Sequence, residues 1–163
     1  MTRIINTIKL NKKIRYLQKL KSLNKESGLI FNSLDNILND FIGHKLFTIL
    51  KFDKINSDLE RVYTSKPREY PLQGKKDVIR NFWQVQVLEK GIAYIGYNPQ
   101  DIKNSFSDFD LIKKLGCSSV LIIPVKSGDN IKGSVNLLHE ESWYSNNHVK
   151  IAQSFVSVIS ETL

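Results

Sequence analysis

Two long apolar segments separated by a short polar one dominate the hydropathy pattern of the chain. Residues 119–126 are dense in β-branched and aliphatic side chains, residues 127–130 read Ser-Gly-Asp-Asn, and residues 131–138 are apolar again. β-Branched residues favour strands and the polar segment has turn chemistry, so the pattern predicts a hairpin of two long strands. Apolar residues occupy both faces of each strand, and we therefore expect a central position in a sheet that is covered on both sides.

Helical periodicity appears at both ends of the chain. Apolar residues spaced three and four apart predict helices over residues 3–23 and 27–42, and Gly43 is placed to terminate the second one. A terminal helix is predicted from about residue 147 to residue 163, with Ser145 able to cap its start. Shorter helices are predicted over residues 77–89 and 101–115.

Three further strands are predicted in the first two thirds of the chain, over residues 46–52, 59–65 and 92–97. The segment of residues 66–76 contains Pro67, Pro71 and Gly74, which predicts a loop. Strands that turn back on their neighbours, combined with helices at both ends, indicate an α+β domain built around an antiparallel sheet.

Composition is ordinary for a globular protein of one domain, with 41% hydrophobic and 25% charged residues in a chain of 163. The sequence contains no apolar run near the roughly 18 residues that span a bilayer, and its start does not resemble a secretory signal. Cys117 is the single cysteine, which excludes an internal disulfide and agrees with a reducing compartment. We therefore expect a cytoplasmic protein.

The net charge of +8 is concentrated at the start of the chain. Residues 1–25 contain eight Lys or Arg and no acidic residue, whereas residues 26–163 are neutral overall. We interpret residues 1–25 as a basic amphipathic helix and residues 26–163 as the domain. The helix could pack on its own domain or on the same helix of a second subunit. Contact of residues 3–23 with a membrane surface or nucleic acid is an alternative, although interleaved Trp or Phe is lacking.

The central hairpin resembles the GAF family of small-molecule sensor domains, which have a PAS-like fold. The matching residues are Leu115-Gly116-Cys117-Ser118-Ser119-Val120, Ile123-Pro124-Val125, the segment 131–138 after the turn, and the aromatic residue at Trp143 or Tyr144. Residues 43–48 and 63–71 are similar to a bacterial subgroup of stand-alone GAF proteins. The resemblance covers residues 27–163. It implies a strand order of 2-1-5-4-3, terminal helices on one face, and short helices and loops over the other.

In GAF relatives a ligand cavity lies under these short helices, and the resemblance therefore suggests which side chains bind a ligand here. The residues on the corresponding segments are Tyr63, Ser65, Tyr70, Arg80, Trp83, Tyr97, Phe106, Phe109 and Asp110, together with Cys117 and Ser119 on the hairpin. Aromatic surface with a few polar groups is typical of small-molecule sites, although each aromatic ring could equally belong to the core. A buried Arg80 facing the cavity would favour an anionic ligand, whereas an Arg80 in solvent would be a surface charge only.

Three functions remain open at this point. The first is a non-catalytic sensor or regulatory domain that binds a small organic ligand and signals through helix packing in a homodimer. The second is an enzyme similar to the free methionine-sulfoxide reductases, in which Cys117 would act with an external thiol. The third is a purely structural dimerisation module. His44, His139 and His148 do not form a H-E-x-x-H motif, and no phosphate-binding loop is present, so the sequence predicts neither a metal site nor a cofactor.

Overall fold

The computed structural model describes residues 2–163, with side chains from residue 6 onward. Ile4, which the periodicity assigns to the apolar stripe of the first helix, has its side chain outside the described residues. The helices are α1 (Thr2–Ser22), α2 (Ser27–Phe41), α3 (Phe82–Gln84), α4 (Pro99–Ser105), α5 (Phe109–Lys114) and α6 (Asn146–Val156). The strands are β1 (Leu46–Asp53), β2 (Asp58–Thr64), β3 (Lys76–Asp77), β4 (Tyr94–Gly96), β5 (Ser119–Ser127) and β6 (Asn130–His139).

The strands form one antiparallel sheet in the order β3-β2-β1-β6-β5-β4. The predicted order of five strands is confirmed, because the only addition is β3, a two-residue strand at the edge beside β2. The hairpin β5–β6 lies inside the sheet, with Leu121 opposite Leu137. Strand β6 continues the sheet to β1, where Asn136 lies opposite Thr48.

Both faces of the sheet are covered, as the apolar strands predict. On the first face, α1, α2 and α6 pack against alternate strand residues such as Phe47, Ile123 and Leu137, and this set is called the helix-face core. On the second face, residues such as Leu46 and Ile122 pack against α3, α4, α5 and their connections. The α1 side chains Leu17 and Leu20 are buried in the helix-face core. The predicted α+β architecture is therefore confirmed.

The segment predicted as a helix over residues 77–89 differs in the structure. Lys76 and Asp77 pair with β2, and the helix begins only at Phe82, because Asn81 caps it and Gln84 bonds back to the Asn81 N–H. After Gln84 the helix widens into a π-helical turn over Val85–Glu89. The terminal helix also changes type, and continues after Val156 as a 3-10 helix over Ser157–Thr162.

A β-bulge in β2 decides which side chains reach each face. Ile49 pairs with Tyr63 and Leu50 pairs with Arg61, so Val62 has no partner on β1. Side chains alternate between faces along a strand, and one extra residue therefore reverses the alternation beyond it. Arg61 consequently lies on the second face together with Leu50, whereas Tyr63 packs in the helix-face core.

Candidate ligand-binding site

A cavity of about 240 Å³ lies between the second face of the sheet and the short helices above it. Its floor consists of Thr48 and Leu50 from β1 and Asn136 and Leu138 from β6. Its roof contains residues of α3, α5 and the α4–α5 connection. The cavity reaches the surface beside the loop of residues 71–81, where Gly74 and Lys76 are exposed.

Two charged side chains that lie next to each other line this cavity. Arg61 comes from β2, and Asp108 immediately precedes α5. The side chain of Arg61 is only 8% exposed and that of Asp108 only 20% exposed, and Arg61 Nη2 lies 3.5 Å from Asp108 Oδ2. An ion pair at this distance is loose, because charged hydrogen bonds are usually about 2.7–2.9 Å long. We call these two side chains the Arg61–Asp108 pair.

The loop between β2 and β3 fixes the guanidinium group in place. The centre of the Arg61 guanidinium lies 3.7 Å from the centroid of the Tyr70 ring, in a cation–π contact. Arg61 Nη1 donates to the Pro71 carbonyl oxygen at 2.6 Å. Burial, followed by the neighbouring Asp108 carboxylate, raises the pKa of Tyr70 well above its ordinary value, so this ring is a neutral phenol.

One atom of each charged group lacks a hydrogen-bond partner. Among the residues that the structure describes, neither Arg61 Nε nor Asp108 Oδ2 has one, although both atoms are buried. A buried donor or acceptor without a partner costs about 1–3 kcal/mol, and more when the group is charged. Such groups are rare in folded proteins. Both atoms are covered by protein, so they belong to the wall of the cavity and not to its accessible surface.

The roof of the cavity is held together by hydrogen bonds to one carbonyl group. Trp83 Nε1 donates to the Ser105 carbonyl oxygen at 2.9 Å, and Asn81 Nδ2 donates to the same oxygen at 3.1 Å. These bonds connect α3 to the end of α4. Trp83 and Phe106 form an aromatic pair whose ring centroids are 6.1 Å apart. The indole ring of Trp83 therefore forms part of a defined cavity wall.

Three of the side chains that the sequence suggested as ligand contacts line this cavity. They are Tyr70, Trp83 and Phe106. Their rings supply the aromatic wall, while Thr48, Asn136 and the Arg61–Asp108 pair supply the polar groups.

Arg80, which the sequence suggested as a ligand contact, does not face the cavity. Its backbone has φ of 55°, and its side chain turns outward to form a bidentate ion pair with Glu89, at 2.6 Å and 3.0 Å. Both side chains are exposed to solvent. Arg80 is therefore a surface charge, and the buried arginine of the cavity is Arg61.

Tyr63 and Ser65 also lie away from the cavity, because the bulge at Val62 reverses the alternation before them. The Tyr63 hydroxyl donates to Asp35 Oδ2 of α2 at 2.8 Å. Ser65 Oγ accepts the Phe47 N–H at 2.9 Å. Tyr63 therefore packs against the helix-face core, and Ser65 bonds to the backbone of β1.

Tyr97, Phe109 and Asp110 are displaced from the cavity in different ways. Tyr97 is 48% exposed and lines a separate open groove between β4 and α6. Phe109 packs beside the second core, under the ammonium group of Lys103. Asp110 is exposed on the outer side of α5, whereas Asp108, two residues earlier, faces the cavity.

Cys117 and Ser119 are structural in their contacts. Cys117 is 2% exposed in the second core, and its Sγ lies 3.9 Å from the Leu115 carbonyl oxygen. Burial raises the pKa of its thiol to about 11. The Ser119 hydroxyl donates to the Glu140 carbonyl oxygen, which joins β5 to the end of β6. Neither side chain lines the cavity.

The sequence analysis missed the polar residues of the cavity. Arg61, Asp108, Thr48 and Asn136 all line it. Thr48 stands between apolar residues of β1, and Arg61 stands between Leu59 and Val62 of β2. A charged residue between apolar positions of a strand was the available signal. Asn136 stands between Val135 and Leu137 in the buried part of β6, where an amide requires a partner. That partner is Thr48 Oγ1, at 3.3 Å from Asn136 Nδ2.

The described residues contain no cluster of three or more His, Cys, Asp or Glu side chains that could hold a metal ion. Within residues 2–163, none of the helices combines the length and hydrophobicity needed to cross a membrane.

Comparison with known proteins supports the fold through solved structures alone. No protein-family model matches the sequence, and no curated protein does. The phycocyanobilin-bound GAF domain of a cyanobacterial phytochrome is similar over 94% of this chain and 92% of its own, with a TM-score of 0.71 and 14% identity.

Two further similar structures are GAF domains of other kinds of protein. The GAF domain of an Acinetobacter phosphoenolpyruvate-protein phosphotransferase matches over 93% of this chain and 90% of its own, with a TM-score of 0.70 and 12% identity. A GAF domain/HD domain protein from Geobacter sulfurreducens matches over 85% of this chain and 92% of its own, with a TM-score of 0.66 and 15% identity. The helices on one face, the antiparallel sheet and the short helices over the cavity thus form a GAF-domain fold.

Proposed function

We propose that the protein is a sensor domain that binds a small organic molecule in the cavity beside the Arg61–Asp108 pair, without chemical conversion. The observation that carries this proposal is a cavity of about 240 Å³ that combines an aromatic wall with the polar side chains of Thr48, Asn136 and the Arg61–Asp108 pair. A purely structural module would gain nothing from such a cavity.

The volume of the cavity limits the size of the ligand. Sites for drug-sized molecules are usually about 300–1,000 Å³, whereas this cavity measures about 240 Å³. The solved GAF structures include one with phycocyanobilin and one with phycoerythrobilin. A linear tetrapyrrole is too large for this cavity, so the proposed ligand is a smaller molecule.

Signal transmission would pass through the strands that are shared by the two faces. Thr48 and Asn136 lie under the cavity, and their neighbours Phe47 and Leu137 pack against the terminal helices. A ligand that shifts β1 and β6 would change the packing of α1, α2 and α6. We propose that this change is read by a second copy of the chain, because α1 and the turn after it expose the apolar side chains of Ile8, Tyr16 and Leu23. Sedimentation of a monomer at tens of micromolar would remove the dimer from the proposal.

The reductase-like alternative receives no support from the position of the thiol. A reactive cysteine needs a thiolate and access to its substrate. Cys117 is buried, has a raised thiol pKa of about 11 and lies outside the cavity lining.

The proposal is tested by capture of the ligand from a mixture. The purified chain is equilibrated with the low-molecular-mass fraction of a cell extract, and retained molecules are identified by mass spectrometry. Leu50→Phe places a larger side chain in the cavity, while Ile92→Phe makes a similar change in the separate groove near Tyr97. We expect one or a few molecules to be retained by the wild type and by Ile92→Phe, but not by Leu50→Phe. Equal retention by all three proteins, or none by any, would contradict the proposed function.

A further inference from the structure

We infer that the outer face of α1 is a docking surface for a lipid bilayer that carries anionic headgroups. Helix α1 lies on one face of the sheet, whereas the proposed ligand lies under the short helices of the opposite face. The docking surface is therefore independent of the cavity, and it stands whichever molecule the cavity binds.

The positive charge of α1 is not compensated within the chain. Residues 1–25 contain eight Lys or Arg and no Asp or Glu, whereas residues 26–163 are neutral overall. Within the part of the chain that the structure describes, none of the basic side chains from Lys9 to Lys25 forms an ion pair. Lys9 Nζ lies 5.1 Å from the centroid of the Phe41 ring, a contact that leaves its charge in place. This charge is available to an anionic partner.

Three exposed bases lie along the side of α1 that faces away from the domain. Leu17 marks the inner side, because it is fully buried in the helix-face core. An α-helix turns by about 100° per residue, so Arg15 and Lys19, two positions before and after Leu17, project about 160° away from it. Lys12 precedes Arg15 by three positions and lies on the same side. All three side chains are exposed, and we call them the basic stripe.

Apolar side chains are exposed beside the basic stripe. Ile8, Tyr16 and Leu23 are 64%, 47% and 56% exposed. A bilayer surface suits this combination, because apolar side chains enter the boundary below the headgroups while Lys and Arg stay at headgroup level. The phosphates of a nucleic acid would pair with the bases but would leave the apolar side chains in water. The exposed apolar residues therefore favour a bilayer over a nucleic acid.

The inner side of α1 limits the depth of this contact. Leu17 and Leu20 are buried in the helix-face core, and Leu10 and Ile14 pack against it. These four side chains form the main apolar stripe of the helix, and the domain already covers them. Only the outer face remains for lipid, so the contact is shallow and largely electrostatic.

Docking through α1 would also orient the domain. The terminal helices would face the bilayer, while the mouth of the cavity, on the other face of the sheet, would stay open to water. A ligand would then enter from solution. A second copy that pairs through α1 would bring two basic stripes together, and anionic headgroups would reduce the repulsion between them.

Vesicle binding by the full chain tests the docking surface. Co-sedimentation compares vesicles of phosphatidylcholine alone with vesicles of an equimolar mixture of phosphatidylcholine and phosphatidylglycerol. Each Lys or Arg close to an anionic surface contributes about fivefold in affinity, so we expect binding to the mixed vesicles to be about 100-fold tighter or more. Raising the salt concentration should weaken this binding. Equal binding to the two kinds of vesicle would overturn the inference without the use of any variant.

Charge reversal assigns the binding to the basic stripe. The test variant combines Lys12→Glu, Arg15→Glu and Lys19→Glu, and we expect it to lose about 100-fold or more in affinity for the mixed vesicles. The control variant reverses two Lys and one Arg that are exposed beside residues of the second core, namely Arg68→Glu, Lys90→Glu and Lys113→Glu. The control makes the same change in net charge, but solvent screens charges far from the contact, so its affinity should stay within about threefold of the wild type. Circular dichroism verifies that both variants are folded, and equal losses in the two would overturn the inference.

The exposed apolar side chains separate a bilayer from a nucleic acid. Ile8→Ser combined with Leu23→Ser leaves the charge unchanged and removes apolar surface. We expect this variant to lose about fivefold or more in affinity for the mixed vesicles and to bind a labelled DNA duplex, measured by fluorescence anisotropy, as the wild type does. Unchanged vesicle binding would contradict contact with the bilayer interior. Binding of the duplex without binding of the mixed vesicles would assign the basic stripe to nucleic acid and overturn the inference.

Discussion

The Tyr63 hydroxyl donates a 2.8 Å hydrogen bond to Asp35 Oδ2, which joins strand β2 to helix α2. The same carboxylate pairs through Oδ1 with His44 Nε2 at 2.8 Å, and Asp35 is buried. The β-bulge at Val62 makes this contact possible, because without the extra residue the Tyr63 side chain would lie on the cavity face. The bulge in β2 thus places the Tyr63 side chain against Asp35 of α2, while Arg61 lies on the cavity face of the sheet.

Loss of this hydroxyl should destabilise the fold. Tyr63→Phe leaves a buried carboxylate oxygen with one partner fewer, and we expect the free energy of unfolding in urea to fall by about 1–3 kcal/mol. Tyr16→Phe on α1 is the matched control, since Tyr16 is 47% exposed and its change should stay within about 0.5 kcal/mol. Equal losses of unfolding free energy in the two variants would show that the hydrogen bond from Tyr63 to Asp35 does not stabilise the fold.

Helix α1 should contribute to the same cooperative unit as the sheet. Leu17 is fully buried in the helix-face core, whereas Ile8 on the same helix is 64% exposed. We expect Leu17→Ala to cost about 2–5 kcal/mol and Ile8→Ala to cost less than about 1 kcal/mol. Urea unfolding monitored by both circular dichroism and tryptophan emission measures these costs. If Leu17→Ala leaves the tryptophan transition unchanged, α1 folds independently of the domain.

Close packing between β1 and β6 should make Gly133 intolerant of any side chain. A Cβ atom at this position would overlap the Leu50 carbonyl oxygen and press on Leu163. We expect Gly133→Ala to lower stability by about 2 kcal/mol or more, because backbone cannot move away as a side chain can. Gly28→Ala in α2 meets no atom within 4 Å and should be neutral or stabilising by up to about 1 kcal/mol. Thermal unfolding of the two variants compares them directly, and a stable Gly133→Ala would contradict the assigned pairing of β1 and β6.

Cys117 should react slowly with alkylating reagents in the folded protein. Its thiol pKa is raised to about 11 by burial, while an unfolded cysteine has a pKa of about 8.5. The thiolate is the reacting form, so at pH 8 we expect alkylation at least about 100-fold slower in the folded state than in urea. Because the folded pKa is raised, this group stabilises the fold below about pH 8.5, and that contribution is lost as the pH rises towards about 11. Rapid labelling of the folded protein would restore the thiol as a catalytic candidate.

Sequence patterns predicted most of the fold, because strand and helix periodicities depend on local apolar spacing. Residues 119–126 and 131–138 are apolar on both faces and are separated by a polar turn, so the hairpin and its central place in the sheet could be predicted. The cavity was harder to predict, because its polar residues depend on single-residue events. The bulge at Val62 places Arg61 and Tyr63 on opposite faces of the sheet. The start of α5 at Phe109 places Asp108 rather than Asp110 towards the cavity. The left-handed backbone conformation of Arg80 could not be predicted from its residue type, because glycine is the residue that usually adopts this conformation.

Nuclear magnetic resonance of the two tryptophan side chains tests the central claim most directly. Trp83 Nε1–H lies in the cavity roof and donates to the Ser105 carbonyl oxygen, while Trp143, which does not line the cavity, donates to the Ile42 carbonyl oxygen. Trp143→Phe assigns the two indole signals. On addition of the low-molecular-mass extract fraction, we predict that the Trp83 signal shifts in the wild type and not in Leu50→Phe, while the Trp143 signal stays in place. A shift of the Trp143 signal alone, or an equal Trp83 shift in Leu50→Phe, would contradict ligand binding in this cavity.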